Sequence, residues 1–328
     1  VRVLILGGTK FLGIHLTHEL RARGHDITHF NRGVTRSDPV DGVRTYRGDR
    51  STDLSALEAE RFDAVVDTSG YVPHVVERSA RFFSDRANRY VFVSTISVYD
   101  EKLAKIDEDS PRIPLPDDAA RDVMTPETYG PLKALCEDKV TGALADRATI
   151  VRPGLIVGPD DPTDRFTYWP LRFERGGDVL APGTPHRTVQ FIDVRDLAGL
   201  IATLIGRDAS GDYNAVTPPN AITMGDVMNA CANASRAPSS VIWVDDEFLL
   251  HREVEPWMGL PLWIPPALGM PGFYNVGADR SIAAGMSFTP LAKTVADTLA
   301  WAKTLPSDRV PRAGITAERE AELLAAFG

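Results

Sequence analysis

The chain opens on an apolar run, Val3-Leu4-Ile5-Leu6, that passes directly into Gly7-Gly8-Thr9-Lys10-Phe11-Leu12-Gly13. Consecutive large aliphatic residues suit a strand covered on both faces, the usual state of strands in a parallel sheet. Glycines straight after such a strand let the backbone turn tightly and come close to a pyrophosphate, whose charge is met by the N-terminus of the next helix. The opening therefore predicts a strand, turn and helix that hold a dinucleotide, with Lys10 standing where the fingerprint expects its middle glycine.

The same rhythm continues. Apolar runs at 1–7, 26–31, 43–49, 63–69 and 89–95 alternate with helix-period stretches such as 12–23 and 73–86. That alternation predicts an α/β fold, a doubly wound parallel sheet of the Rossmann type with helices on both faces. Residues 100–125 are acidic and carry Pro111, Pro114 and Pro116, which reads as a long loop. Thr125-Pro126-Glu127 then marks a helix start, with threonine as N-cap and proline at the first helical position. A further strand is expected over 149–157, and a strand (188–192) with a helix (193–205) is expected to return to the first domain. The organisation that follows is a dinucleotide-binding domain over 1–158, rejoined by 188–216, and a smaller C-terminal substrate-binding lobe made of 159–187 and 217–328.

Composition narrows the function. With 36 Lys+Arg against 45 Asp+Glu the formal charge is −9, which argues against a field that gathers nucleic acid or anionic membrane. Cys136 and Cys231 are the only cysteines and have no paired spacing, which suits a reducing compartment and argues against a zinc or disulfide framework. No run reads as a signal peptide or a membrane span, so a cytoplasmic protein with a small-molecule substrate is the expectation.

Tyr129 and Lys133 lie four residues apart in the segment that starts like a helix, so both project from one face. A phenol is a usable general acid or base when a nearby cation favours its ionised form. Together with the glycine turn, Gly48-Asp49, the run Val91 to Tyr99, Val151-Arg152-Pro153-Gly154 and Phe191 to Asp196, this pair resembles the short-chain dehydrogenase/reductase superfamily, in its extended or atypical branch of NAD-dependent epimerases and dehydratases. Asp279-Arg280-Ser281 and Thr294 to Trp301 resemble that family's closing helices.

The resemblance implies roles by position. Thr95 would hydrogen-bond the substrate oxygen, Tyr129 would move its proton, and Lys133 would hold the nicotinamide ribose and lower the tyrosine pKa. Gly7, Gly8, Thr9, Lys10, Phe11, Leu12 and Gly13 would form the pyrophosphate turn. Asp49 would meet the adenine, and Thr68, Ser69, Gly70 and Pro153 would line the cofactor. A homodimer through the Tyr129 helix also belongs to the resemblance.

Three departures sharpen this. The second strand ends in Asn31-Arg32 where a carboxylate would grip the ribose of NAD, and a guanidinium there suits a 2′-phosphate, so NADP(H) is the preferred cofactor with NAD(H) as the alternative. Thr95 is followed by Ile96-Ser97 rather than an Asp-Glu pair, which speaks against dehydratase chemistry. Val189 occupies the place of an arginine that would grip a nucleotide-sugar diphosphate. The resulting expectation is an oxidoreductase acting on a carbonyl or secondary alcohol of a small polar, sugar-like or secondary-metabolite substrate. A sugar or nucleotide-sugar epimerase with tightly bound NAD is the alternative, and an RNA-binding or nucleotide-sensing member of the atypical branch is a third. Tyr99, Met124, Tyr168, Trp169, His186, Arg187 and Trp257 fall in loops expected to border the nicotinamide end and are candidate substrate contacts. His15 and His18 lack a third ligand, so no metal site is expected, and Asp107-Glu108-Asp109 reads as a solvated loop.

Overall fold

A computed structural model describes residues 1–34 and 40–328. The first half contains β1 (Arg2–Leu6), α1 (Leu12–Ala22), β2 (Asp26–Asn31), β3 (Arg44–Arg47), β4 (Phe62–Asp67), α2 (Pro73–Phe83), β5 (Ala87–Val93), α3 (Pro126–Leu144) and β6 (Ala148–Pro153). Then come β7 (Ile156–Val157), α4 (Tyr168–Glu174), β8 (Gly177–Pro182), β9 (Ile192–Asp193), α5 (Val194–Gly206) and β10 (Gly211–Ala215). The chain closes with α6 (Met224–Ala234), β11 (Ser239–Val244), α7 (Asp246–His251), α8 (Asp279–Ala283), α9 (Leu291–Ala302) and α10 (Ala317–Phe327). Among the described residues no helix is long and apolar enough to cross a membrane.

Seven parallel strands form the main sheet in the order β10-β6-β5-β4-β1-β2-β3, so the chain reverses direction between β1 and β4. Strand periodicity divides the opening apolar run between two cores. Val3 and Ile5 pack under α1 and α5, while Leu4 and Leu6 pack under α2 and α3. A third core, around Trp169, Trp263 and Phe173, belongs to the lobe built from α4, α6, α7, α9, α10 and the β8/β11 pair.

Two expected strands come out shorter. The 149–157 run breaks at Gly154, whose N–H donates to Ala215 O and whose Cα sits against Val216 and Ile96, leaving β7 to pair with β9. Before β9, Val189 N–H bonds Ile222 O, and the Gln190 side chain is held by Thr217 O and Val276 on both its amide atoms. The expected solvated acid run also differs: Glu108 is buried and accepts from Asn214 N–H at 3.1 Å, and Asp109 pairs with Arg280.

The turn after β1 is packed as tightly as a helix–strand contact allows. A Cβ on Gly13 would lie 2.5 Å from Gly8 Cα, and one on Gly8 would lie 2.7 Å from the His29 ring. His29 is fully buried beneath this turn. Thr17 Oγ1 donates to Gly13 O at 2.6 Å, so it accepts from His29 Nε2–H at 2.8 Å, and Nδ1 is left buried without a partner. Burial pushes the His29 pKa down to about 4.

Helix α3 begins with a reciprocal cap: Thr125 Oγ1 accepts from Thr128 N–H and Thr128 Oγ1 accepts from Thr125 N–H. Pro131 lies inside the helix and cannot donate to the carbonyl one turn back. Beside it, Gly130 lets α3 touch the turn after β5, because a Cβ there would sit 2.0 Å from Ser97 O. An alanine at this position must push α3 away from that turn.

Two measurements follow. His29 is neutral when folded, so as pH falls from its ordinary 6.5 towards 4 the unfolded chain takes up a proton that the folded chain refuses. Stability should fall through that window by about 1.4 kcal/mol per pH unit at most, and urea titrations of His29→Gln should lose this slope. Gly130→Ala should cost roughly 1–3 kcal/mol in the same titration and should displace Tyr129.

Candidate active site

A cavity of about 770 Å³ crosses the carboxyl ends of β1, β2, β4, β5 and β6. This is where an open α/β sheet splits its loops to opposite sides. The whole glycine turn, Gly7 to Gly13, lines one end. The first donors of α1 are Gly13 and Ile14, bonded to Lys10 O and Phe11 O, so the amides of Thr9 to Leu12 precede the helix's own bonds. These amides and the missing glycine side chains form a cradle that fits a pyrophosphate.

At the same end Asn31 stitches β2 to the turn. Its Oδ1 accepts from Gly33 N–H at 3.0 Å and from Arg47, and its Nδ2 faces Gly7 O at 3.4 Å. Arg32 is exposed, lines the cavity and bonds to no other described residue. Asp49 accepts from Ser51 N–H and Oγ–H at 2.9 and 2.6 Å, which holds its carboxyl below the usual range, with Arg32 and Arg50 adding to the effect. Thr68 and Ser69 line the wall and donate to Leu6 O at 3.0 and 3.2 Å.

The reactive end brings together Thr95, Tyr129 and Lys133, all on the cavity wall. Lys133 is buried and its ammonium donates to Gly70 O at 2.7 Å and Val93 O at 2.6 Å. Two of its three protons are thereby used. Burial lowers its pKa to about 8, and Asp67 is one of the charges that resist the fall. Gly70 thus serves through its carbonyl, behind the wall. Tyr129 is raised above its ordinary pKa by burial, while a hydrogen bond with Thr95 and the charge of Arg165 pull it the other way. Arg165, which the sequence did not single out, thus adds its charge to the surroundings of Tyr129. Pro153 closes this end from β6.

The loop candidates divide sharply. Trp257 lines the cavity, but Tyr99, Met124, Tyr168, Trp169, His186 and Arg187 do not. Tyr99 is fully buried, donating to Asn214 Oδ1 at 2.9 Å and accepting from Arg152 at 2.6 Å. Trp169 sits in the lobe core with its Nε1–H on Pro261 O, and the Tyr168 ring packs on Gly314. Arg187 is spent in a two-point pair with Asp246, and Met124 and His186 are exposed. His15 bonds Pro159 O and Asp160, tying α1 to the loop after β7. Among the described residues no group of three metal-binding side chains occurs.

Several residues of the site carried no sequence signal. Arg50 pairs with Asp67 through both oxygens at 2.5 and 2.6 Å, and Tyr90 donates to Asp67 at 2.9 Å, forming a charged floor under the dinucleotide end. Glu101, Arg165, Phe273 and Tyr274 line the reactive end. Burial and Asp100 push Glu101 up to about 6. These residues belong to no short motif, and segments distant in the chain bring them together.

Comparison with known proteins places the chain. The model of the NAD dependent epimerase/dehydratase family matches residues 3–216. Chloroplast stem-loop binding protein of 41 kDa b of Arabidopsis thaliana is 26% identical over 260 residues, which is 74% of this chain and 65% of that protein. The chain thus spans just under two thirds of that relative's length. Bordetella bronchiseptica WbmH, solved with NAD+, superposes with a TM-score of 0.67 at 18% identity, over 92% of this chain and 98% of that one. Human epimerase family protein SDR39U1 (isoform 2), solved with NADPH, gives 0.59 at 20% identity, over 92% and 99%. Those two likenesses establish the fold, and the family match over most of the sheet domain settles membership: the chain belongs to the NAD-dependent epimerase/dehydratase family.

Proposed function

We propose that the protein is an NADP(H)-dependent oxidoreductase acting on a carbonyl or secondary alcohol of a small polar molecule. The observation that carries this reading is the meeting of Thr95, Tyr129 and Lys133 on the same cavity as the glycine turn. The turn's amides would hold the pyrophosphate, Lys133's remaining proton the nicotinamide ribose, and Arg32 the 2′-phosphate. NADPH in the solved SDR39U1 supports the preference, and NAD+ in WbmH keeps NAD(H) as the alternative.

When bound, the nicotinamide supplies or accepts the hydride. Tyr129 O–H gives its proton to the carbonyl oxygen in reduction and takes it back in oxidation. Thr95, whose hydroxyl is positioned by Ser97 N–H and Ser97 Oγ at 3.1 Å each, orients that oxygen. Removing Tyr129 leaves Thr95 and the cofactor cradle in place, so the proton step can be tested separately from binding. The formal charge of −9 does not favour carrying the stem-loop binding of the Arabidopsis relative over to this chain.

Tyr129→Phe should lower hydride transfer by at least about 100-fold while NADPH affinity, read by nicotinamide fluorescence, stays unchanged; retained turnover would remove Tyr129 from the mechanism. Arg32→Ala should cut the ratio of NADPH to NADH affinity by roughly 10-fold or more, and an unchanged ratio would overturn the 2′-phosphate role. Nucleotide carried through purification that exchanges with added NADPH agrees with the oxidoreductase. Tightly held NAD that does not exchange would move the reading to an epimerase.

A further inference from the structure

At the reactive end Arg165 has no ion-pair partner in contact among the described residues. Its guanidinium forms no hydrogen bond or ion pair with any described residue, and its Nε is buried without a partner. Of the two carboxylates beside it in sequence, one is paired elsewhere and the other reaches it only at longer range. Asp164 takes two bonds from Arg309, at 2.6 and 2.8 Å, and a third from Arg312 N–H. Asp161 takes both bonds from Thr163 on Oδ1, while its buried Oδ2 has no hydrogen-bond partner and its charge acts on Arg165 from beyond ion-pair distance. The guanidinium lies 5.4 Å from the Trp257 ring centroid, and Trp257, Phe273 and Tyr274 continue as an edge-to-face aromatic wall with centroid spacings of 5.1 and 4.9 Å. A half-buried guanidinium with no hydrogen bond and no ion-pair partner in contact is costly, and a forked donor beside a flat apolar wall suits a carboxylate or phosphate on a planar or ring-bearing molecule.

We propose that Arg165 is a specificity-determining residue which binds a carboxylate or phosphate of the substrate, placed next to the oxygen that Tyr129 and Thr95 address. The inference rests on the oxidoreductase reading for where that oxygen sits. The anion offsets the buried guanidinium, the aromatic wall takes the ring, and the carbonyl is left facing Tyr129. An uncharged substrate of the same shape leaves Arg165 unpaired.

Calorimetry on the NADP+-saturated protein tests this with three probes: benzoylformate, its neutral methyl ester, and phenyl phosphate. The wild type should bind at least one anion about tenfold or more tighter than the ester, and the tighter of the two distinguishes carboxylate from phosphate. Arg165→Met should bring anions and ester to within about twofold, Arg165→Lys should keep part of the preference, and unchanged NADP+ affinity in both would report an intact fold. Equal binding of acid and ester by the wild type, or an anion preference that survives Arg165→Met, would overturn the proposal. Absence of hydride transfer with every carbonyl compound would sink the oxidoreductase reading alone, since the anion preference is read without turnover.

Discussion

The candidate active site of this molecule depends on a buried ammonium. Lys133 reaches from α3 to the carbonyls of Val93, at the end of β5, and Gly70, in the turn after β4, and lies 4.2 Å from the Phe92 ring centroid. A charge so enclosed is tolerable only if its protons are bonded and opposite charge is near. The two carbonyls meet the first need, and Asp67 helps with the second. Because Lys133 fixes α3 against the end of β5 and the turn after β4, Tyr129, one turn earlier, has little freedom in where it stands. Gly130 completes the constraint by allowing α3 to rest on Ser97 O. The proline that follows weakens the helix locally, but the Thr125 cap and the Lys133 anchor hold both sides of it.

Charge is arranged against the trend of the composition. The chain is acidic overall, yet its cleft presents Lys10, Arg32, Arg50, Lys133 and Arg165. Carboxylates near the cleft are largely committed: Asp67 to Arg50, Asp164 to Arg309, and Glu137 to Arg152 and Arg112. The local field seen by a ligand is therefore set by which acids are already paired. Net charge describes long-range attraction and solubility and says little about such a pocket.

Much of the fold was legible because its signals are local. Both-face burial wrote β1 as an unbroken aliphatic run, the threonine-proline start announced α3, and helical spacing put Tyr129 and Lys133 on one face. The aromatic loop candidates misled for a physical reason: Tyr99, Tyr168 and Trp169 are large enough that packing recruits them, and an observer of sequence cannot distinguish a ring facing a core from one facing a cleft. Arg50 and Arg165 were silent for the converse reason. An arginine's role lies in which carboxylate it meets: Arg50 meets Asp67 across the fold, and Asp164 beside Arg165 is taken by Arg309.

By itself the sequence determined the parallel sheet, the glycine turn and the spacing of Tyr129 and Lys133, since each follows from periodicity or backbone freedom within a few residues. Only the tertiary structure decided that Lys133 spends two of its protons on the carbonyls of Val93 and Gly70 and that Arg165 comes to line the same cavity as Tyr129. It likewise decided which aromatic residues form the chamber wall. Burial and pairing are properties of segments brought together from across the chain, and no local pattern encodes which charges are left unpaired when they meet.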